Sequence, residues 1–236
     1  MKQIFGLVPA AGVGTRMGAD RPKQYLALGG QTLLERSVRC LLADPRVVQV
    51  LVVVAPDDRH AATLALPPRC ARAAAGGASR AHTVRNGLRV LRDGVDGLAA
   101  ADDDGVLVHD AARPCLGAAD LAALIDGGCD EQGALLAAPL ADTIKAALDG
   151  RVARTVERSG LWRALTPQFF RVGVLARALE AEGLSPDVTD ESAAVERLGL
   201  RPRLIAGSAG NIKVTAPGDL ALAEAILRQS GRWSDG

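Results

Sequence analysis

Aromatic residues are scarce in this chain of 236 residues: two Trp, one Tyr and three Phe make up 3% of it. So thin a supply provides no ladder of rings on which nucleic-acid bases could stack. A dominant charge of one sign is lacking too, since 28 Lys and Arg stand against 27 Asp and Glu for a net charge of +1. No bulk field therefore holds a polynucleotide or an anionic membrane, and positive charge must act locally. These two shortages disfavour a nucleic-acid partner. Cysteines are few and scattered: Cys40, Cys70, Cys115 and Cys129 form no C-x-x-C pair of the kind used by zinc or redox chemistry, and they read as reduced thiols. No apolar run reaches the ~18 residues that span a bilayer, and the opening MKQIFGLVPAAG has too short an apolar stretch for a signal peptide. The expectation is a soluble, cytoplasmic protein with no membrane partner.

What the chain has in quantity is aliphatic: 48% of it is hydrophobic, so its core should be mostly Ala, Leu and Val. A chain of this length suits a single α/β domain. Short β-branched runs alternate with longer helical patterns, the sign of βαβ units and a mostly parallel sheet. The expected strands are 4–8, 47–54, 72–75, 106–108, 134–137 and 203–205. The run VVQVLVVVA is apolar on both faces and should lie centrally, with helices above and below it. Expected helices are 33–42, 57–65, 81–91, 118–126, 174–182, 191–198 and 217–227. Thr32 should cap the first, with Glu35 completing a capping box, and Pro217 suits the first turn of the last. Between 139 and 166 the alternation breaks. Two short strands, around 142–146 and 152–156, would join through Asp149-Gly150, a favourable hairpin turn. An isolated hairpin needs something to pack on, and a second copy of the chain is the economical partner; the plainer alternative is a loose surface excursion.

The stretch LVPAAGVGTRMGADRPKQYL follows the first strand. Gly12, Gly14 and Gly18 give G-x-G-x-x-x-G, one residue off the dinucleotide spacing, and no acidic residue ends a second strand to clasp a ribose. No Gly-Lys-Ser/Thr closes it as in a P-loop. What remains is a loop rich in backbone N–H groups that carries Arg16 and Lys23, a combination suited to a polyphosphate. Taken alone, it reads equally well as a solvated turn. It is followed by GGASRAHTV, HDAARPC, TVERSGLWRALTPQFF, TDESA and NIKVT, several of them after expected strands, where ligands gather in open α/β sheets. His60 and His82 fall in helical patterns and read as surface or packing residues. His109 opens the HDAARP motif, ahead of its binding residues, and is expected to play no chemical part.

These six ordered motifs, running from the opening loop to NIKVTAPGDLALAEAIL, resemble the 2-C-methyl-D-erythritol 4-phosphate cytidylyltransferases of the non-mevalonate isoprenoid pathway over nearly the whole chain. The resemblance implies a glycosyltransferase-A-like, Rossmann-like nucleotidyltransferase fold whose protruding β-arm, within 139–166, interlocks two subunits as a homodimer. It implies in-line attack of the methylerythritol phosphate on the CTP α-phosphate, giving 4-diphosphocytidyl-2-C-methyl-D-erythritol and pyrophosphate. The attacking phosphate is already largely dianionic at pH 7, because its second pKa is about 6, so no general base is required. Catalysis then rests on aligning two anions and stabilising the charge that develops between them.

By resemblance, the catalytic cations are Arg16, Lys23 and Lys213. CTP is bound by Pro9, Ala10, Ala11, Gly12, Gly14, Gly77, Arg80, Thr83, Asp110 and Ala111, with the base read by Ala10, Ala11 and the 76–83 segment. The second substrate meets Asp110, Arg113, Thr143, Arg158, Thr166 and Thr189, and Arg158 serves the neighbouring subunit. Thr83 stands where many relatives have Ser, and Ala78 where some have an acid, so Ala78 is given no side-chain role. Arg80 is expected to order its loop rather than touch the reacting phosphate. Mg²⁺ is implied as cofactor, held mainly by the CTP phosphates and without a firm protein ligand.

The residues themselves leave plainer readings open. Lys213, between Ile212 and Val214, could be an edge-strand lysine that guards against aggregation. Asp110 and Arg113 could be a simple i,i+3 ion pair, and Thr189 a helix cap. Two other functions share the outline. A ribitol-5-phosphate cytidylyltransferase is disfavoured by VERSGLWRALTPQ, and a catalytically silent nucleotide-binding protein would be expected to have lost Arg16, Lys23 or Lys213.

Overall fold

The computed structural model describes residues 3–12, 21–128, 130–180 and 189–233. In chain order its elements are β1 (Ile4–Pro9), β2 (Ala27–Leu28), β3 (Gln31–Thr32), α1 (Leu33–Leu42), β4 (Val47–Val53), β5 (Cys70–Ala73), α2 (Arg80–Asp93), β6 (Gly105–Val108) and α3 (Ala118–Gly127). There follow β7 (Ala134–Pro139), β8 (Ile144–Leu148), β9 (Arg151–Val156), β10 (Trp162–Arg171), α4 (Val172–Glu180), α5 (Glu191–Glu196), β11 (Arg203–Ala206) and α6 (Gly218–Gln229). Seven strands form one sheet in the order β11-β7-β10-β6-β1-β4-β5. Its neighbours pair in parallel except at β10, which runs antiparallel to both β6 and β7.

The sheet is covered on both faces. Leu34, Val38 and Leu41 of α1 and Leu121, Leu124 and Ile125 of α3 pack with Val50 and Val52 on one side. Val84, Leu88 and Leu91 of α2 and Leu175 and Leu179 of α4 pack with Leu7, Leu51 and Val53 on the other. This two-sided cover explains why β4 is apolar on both faces, although it lies one strand in from the edge rather than at the centre. Gly87 lets α2 approach closely, since a Cβ there would sit 2.8 Å from both Leu7 Cδ1 and Val53 Cγ2. The helix α1 begins as its sequence dictates: Thr32 Oγ1 accepts from the Glu35 N–H, and Glu35 Oε2 accepts from the Thr32 N–H.

Three further features differ from expectation. The helix expected at 57–65 is only a short 3₁₀ turn, Ala61–Thr63. Asp58 Oδ1 accepts from the backbone N–H of His60 and Ala61, and such local bonds compete with helical ones. His60 therefore lies beside a turn, packed on Tyr25 with 5.3 Å between ring centroids. The long strand β10 was not foreseen, because Thr166, Pro167 and Gln168 interrupt its apolar pattern at the point where its register with β7 shifts. Pro217 stands at the N-cap of α6 rather than in its first turn.

The hairpin is present as β8 and β9, with Asp149 and Gly150 both at positive φ, 50° and 75°, as a two-residue primed turn requires. Its tip exposes Leu148 and Val152 by 68% and 65%. Among the described residues no helix is long and apolar enough to cross a membrane. From β1 the chain winds outward through β4 and β5, then returns to add β6 on the other side of β1. The carboxyl ends of β1 and β6 thus flank the point where strand order reverses, the place where open α/β sheets bind ligands.

Candidate active site

The exit of β1 is bonded by a residue from the next described segment. Gln24 is buried, and its Nε2 donates to the carbonyls of Ala10 at 2.8 Å and Gly12 at 2.9 Å. Next to it, Lys23 Nζ donates to the Val214 carbonyl at 2.9 Å. Facing this exit is the turn that starts α2. A Cβ on Gly76 would lie 2.5 Å from Ala11 Cβ, and one on Gly77 2.5 Å from His82 Cβ, so the two glycines let the segments close on each other. The Thr83 hydroxyl accepts from the Gly77 N–H at 3.1 Å and donates to the Ser79 carbonyl at 3.0 Å, which fixes the turn. Between these walls lies a cleft of about 360 Å³ lined by residues 9–12, Lys23, Gln24, residues 77–80, Thr83, residues 110–112 and Lys213.

The floor of the cleft is an ion cluster. Asp110, at the end of β6, is buried, with Oδ1 3.0 Å from Arg80 Nε and Oδ2 3.0 Å from Lys213 Nζ and 3.3 Å from Arg113 Nε. Burial alone would push its carboxyl up, but Arg80, Lys213 and Arg113 outweigh that and hold it far below the usual carboxylate range. Arg80 Nη1 also meets the buried Glu191 Oε1 at 2.5 Å. Burial raises the Glu191 carboxyl, and Arg80 opposes the rise. Arg80 Nη2 is buried without a hydrogen-bond partner among the described residues, a donor that an oxyanion could satisfy.

A second pocket of about 220 Å³ shares Arg80, Asp110 and Lys213 with the cleft and adds Arg113, residues 164–166, Gln168, Thr189 and Asp190. Behind it lies His109, fully buried, with Nε2 3.1 Å from the Arg113 carbonyl and Nδ1 2.9 Å from Thr166 Oγ1. Burial pushes the imidazole pKa down to about 4, so it is neutral at physiological pH. Two cavities with a common wall of Arg80, Asp110 and Lys213 can hold two anionic ligands side by side.

The model of the 2-C-methyl-D-erythritol 4-phosphate cytidylyltransferase (IspD) family matches residues 4–229. The chain belongs to that family. Among relatives called 2-C-methyl-D-erythritol 4-phosphate cytidylyltransferase, that of Laribacter hongkongensis is 55% identical over 231 residues, 96% of this chain and 97% of its own length. A crystal structure of 4-diphosphocytidyl-2C-methyl-D-erythritol synthase superposes with TM-score 0.84 at 41% identity, covering 96% of this chain and 100% of the other. The Francisella tularensis 2-C-methyl-D-erythritol 4-phosphate cytidylyltransferase gives TM-score 0.80 at 31% identity, with 95% and 100% covered.

In this cytidylyltransferase family member, Pro9, Ala10, Ala11, Gly12, Lys23, Gly77, Arg80, Thr83, Asp110, Ala111 and Lys213 all line the cleft. Arg113, Thr166 and Thr189 line the second pocket. Gly14 and Arg16 lie outside the described residues. Thr143 and Arg158 flank the hairpin, exposed, and line neither cavity; the Arg158 guanidinium donates to the Ala141 carbonyl.

Several plainer readings are overturned. Lys213 belongs to no strand and pairs with Asp110. The cap of α5 is Asp190, which accepts from the Ala193 N–H, and not Thr189. Asp110 and Arg113 are no simple pair, because three cations share that carboxylate. Arg80, at the start of α2, ties its segment to Asp110 and Glu191 across the site. The sequence reading passed over Gln24, Gln168 and Glu191. Each stood inside a motif already noted, PKQ, TPQ or TDESA, and a polar residue there was the available signal.

Proposed function

We infer that this chain joins CTP to 2-C-methyl-D-erythritol 4-phosphate, releasing pyrophosphate and 4-diphosphocytidyl-2-C-methyl-D-erythritol. The observation that carries this reading is the pair of cavities that share Arg80, Asp110 and Lys213 on a chain of this family. The larger takes the nucleotide. Cytosine differs from uracil by a donor at N4 and an acceptor at N3, and the fixed backbone groups around Ala10, Ala11 and Gly77 suit that distinction. The smaller takes the sugar-alcohol phosphate, with Arg113, Thr166 and Thr189 around it.

A phosphate oxygen of the second substrate attacks the CTP α-phosphorus as the bond to pyrophosphate breaks, and no proton need be removed first. The chain aligns the two anions and supplies positive charge where it develops. Lys213 stands at the border between the cavities and Lys23 on the nucleotide side; Arg16 joins them by resemblance. Asp110 tethers Lys213, Arg80 and Arg113 in register.

A resident Mg²⁺ does not suit these side chains, because the Asp110 carboxylate is already matched by three cations. Magnesium fits instead as part of the substrate, carried in on the CTP phosphates. The arm makes the homodimer: its tip is apolar and exposed, and Thr143 and Arg158 line no pocket of their own chain, in keeping with service to the neighbouring subunit. An Arg fork suits a phosphate there. The free thiols Cys40, Cys70 and Cys115 are in keeping with a cytoplasmic setting.

The test is pyrophosphate release from the purified protein with Mg²⁺ and CTP, comparing methylerythritol 4-phosphate with ribitol 5-phosphate. Release that requires the methylerythritol substrate is expected. Release with ribitol 5-phosphate alone, or with neither substrate from folded protein, overturns the reading.

A further inference from the structure

We propose that His109 fixes the direction of the Thr166 hydroxyl, so that Thr166 offers the second pocket an acceptor only and selects a substrate hydroxyl over a carbonyl or ether at that point. The inference rests on the functional reading above only for the identity of the substrate, a polyol phosphate. The donor and acceptor count is independent of it.

A neutral imidazole has one N–H and one bare nitrogen. His109 Nε2 faces the Arg113 carbonyl at 3.1 Å, and a carbonyl can only accept, so the hydrogen is on Nε2. Nδ1 is then bare, and it lies 2.9 Å from Thr166 Oγ1, so the Thr166 hydroxyl must donate to it. The same oxygen accepts from the Asp110 N–H at 3.1 Å. A hydroxyl has one hydrogen and two lone pairs. Two of these three are engaged, and one lone pair is left.

Thr166 is 5% exposed and lines the second pocket, and we assign that lone pair to the ligand. A substrate O–H placed there donates to it. A carbonyl or ether oxygen placed there would face a lone pair with no hydrogen between, in a site closed to water by its own occupant. Leaving such a polar group unpaired costs on the order of 10- to 100-fold in transition-state binding. His109 is thus a positioning residue: it acts through Thr166, and through it on the choice between an alcohol and its more oxidised counterpart.

Two measurements test this. In protein labelled with ¹⁵N at histidine, His109 should give a protonated Nε2 and a bare Nδ1 across pH 6 to 8; an Nδ1-protonated tautomer overturns the proposal. This measurement needs no turnover, so it stands even if the chain fails to use methylerythritol phosphate. In steady-state kinetics, the wild type should prefer the polyol phosphate over analogues with one hydroxyl replaced by carbonyl, by on the order of 100-fold in kcat/KM at one position. His109→Leu frees the hydroxyl hydrogen to turn toward the pocket. The preference should then narrow about tenfold, with KM for CTP unchanged, while His109→Asn, which keeps an acceptor where Nδ1 stood, retains it. An unaltered preference in His109→Leu, or equal loss toward every substrate, overturns the proposal; if that variant does not fold, the tautomer and the His109→Asn preference decide.

Discussion

Leu148 and Val152 flank the Asp149-Gly150 turn at the tip of the hairpin and are 68% and 65% exposed. If the arms of two chains interlock, these side chains leave water on association. Fully burying such a side chain is worth roughly 1.5–3 kcal/mol, so at about two-thirds exposed each stands to contribute roughly 1–2 kcal/mol. In a two-fold symmetric dimer both residues act in both copies, and the four burials sum to roughly 4–8 kcal/mol. Area converts poorly to affinity, so the lower end is the better guide, which corresponds to about 10³-fold in the dissociation constant. The double substitution Leu148→Asp with Val152→Asp should therefore raise the dimer dissociation constant by about 10³-fold or more in sedimentation equilibrium. The tip packs on no core element, so the separated chain should keep the wild-type far-ultraviolet circular dichroism, its thermal midpoint falling only by what association had added. A variant that dimerises as tightly as the wild type refutes the reasoning. So does a wild-type chain that is monomeric at about 10 μM, since that would leave association weaker than about −7 kcal/mol.

Three further outcomes are expected. Lys23→Ala should lower kcat by about 10²–10³-fold, against a stability loss of only about 1 kcal/mol for the hydrogen bond from its half-buried side chain to the Val214 carbonyl; a loss of activity of only several-fold removes it from charge stabilisation. Asp110→Asn leaves Arg80, Arg113 and Lys213 short of a shared countercharge, and should cost about 3 kcal/mol in urea unfolding at pH 7, the low end for a buried pair because Lys213 is 38% exposed. Because the folded-state pKa of Asp110 is depressed, that stabilisation is present above pH ~4 and lost only below it, so the gap should be the same at pH 5 and pH 8; a gap confined to pH 8 contradicts the assignment. His109 has its pKa lowered to about 4 from an ordinary value of about 6.5, so below pH 6.5 the unfolded chain takes up a proton that the folded chain refuses. Between pH 7.5 and 5 the wild type should lose about 2 kcal/mol more stability than His109→Asn, and equal losses would show that His109 is not buried neutral.

The parts of the fold that declared themselves in the sequence are those with short-range causes. The apolar run of β4 needs cover on both faces, Thr32 and Glu35 are three residues apart, and Asp149-Gly150 is a turn by its own backbone preference. β10 escaped because its neighbours, β6 and β7, come from distant parts of the chain, and its own run is broken by Thr166-Pro167-Gln168. The 57–65 segment misled because Asp58 turns its side chain onto the backbone, a choice that helical periodicity does not reveal. In the site, most of the residues expected to meet CTP line one cleft, since each motif brings its loop to one end of the sheet. The ion cluster was not legible, because Arg80 reaches Asp110 over 30 residues and Glu191 over 111. For the same reason His109 was set aside: its bond to Thr166 spans 57 residues.

Asp110 also decides which visitors the site can ignore. An arriving anion does not meet bare cations; it meets Arg80, Arg113 and Lys213 already partly neutralised by a fixed carboxylate 3.0–3.3 Å away. Its reward is only the margin by which it outbids that resident. A stray chloride or carboxylate, with a single charge and no other handle, has almost no margin, whereas a triphosphate spreads several charges over the whole wall. On the proposed reading, when pyrophosphate departs Lys213 has a neighbour to return to rather than a void to be hydrated anew. The carboxylate is a placeholder that keeps the site set for its next occupant.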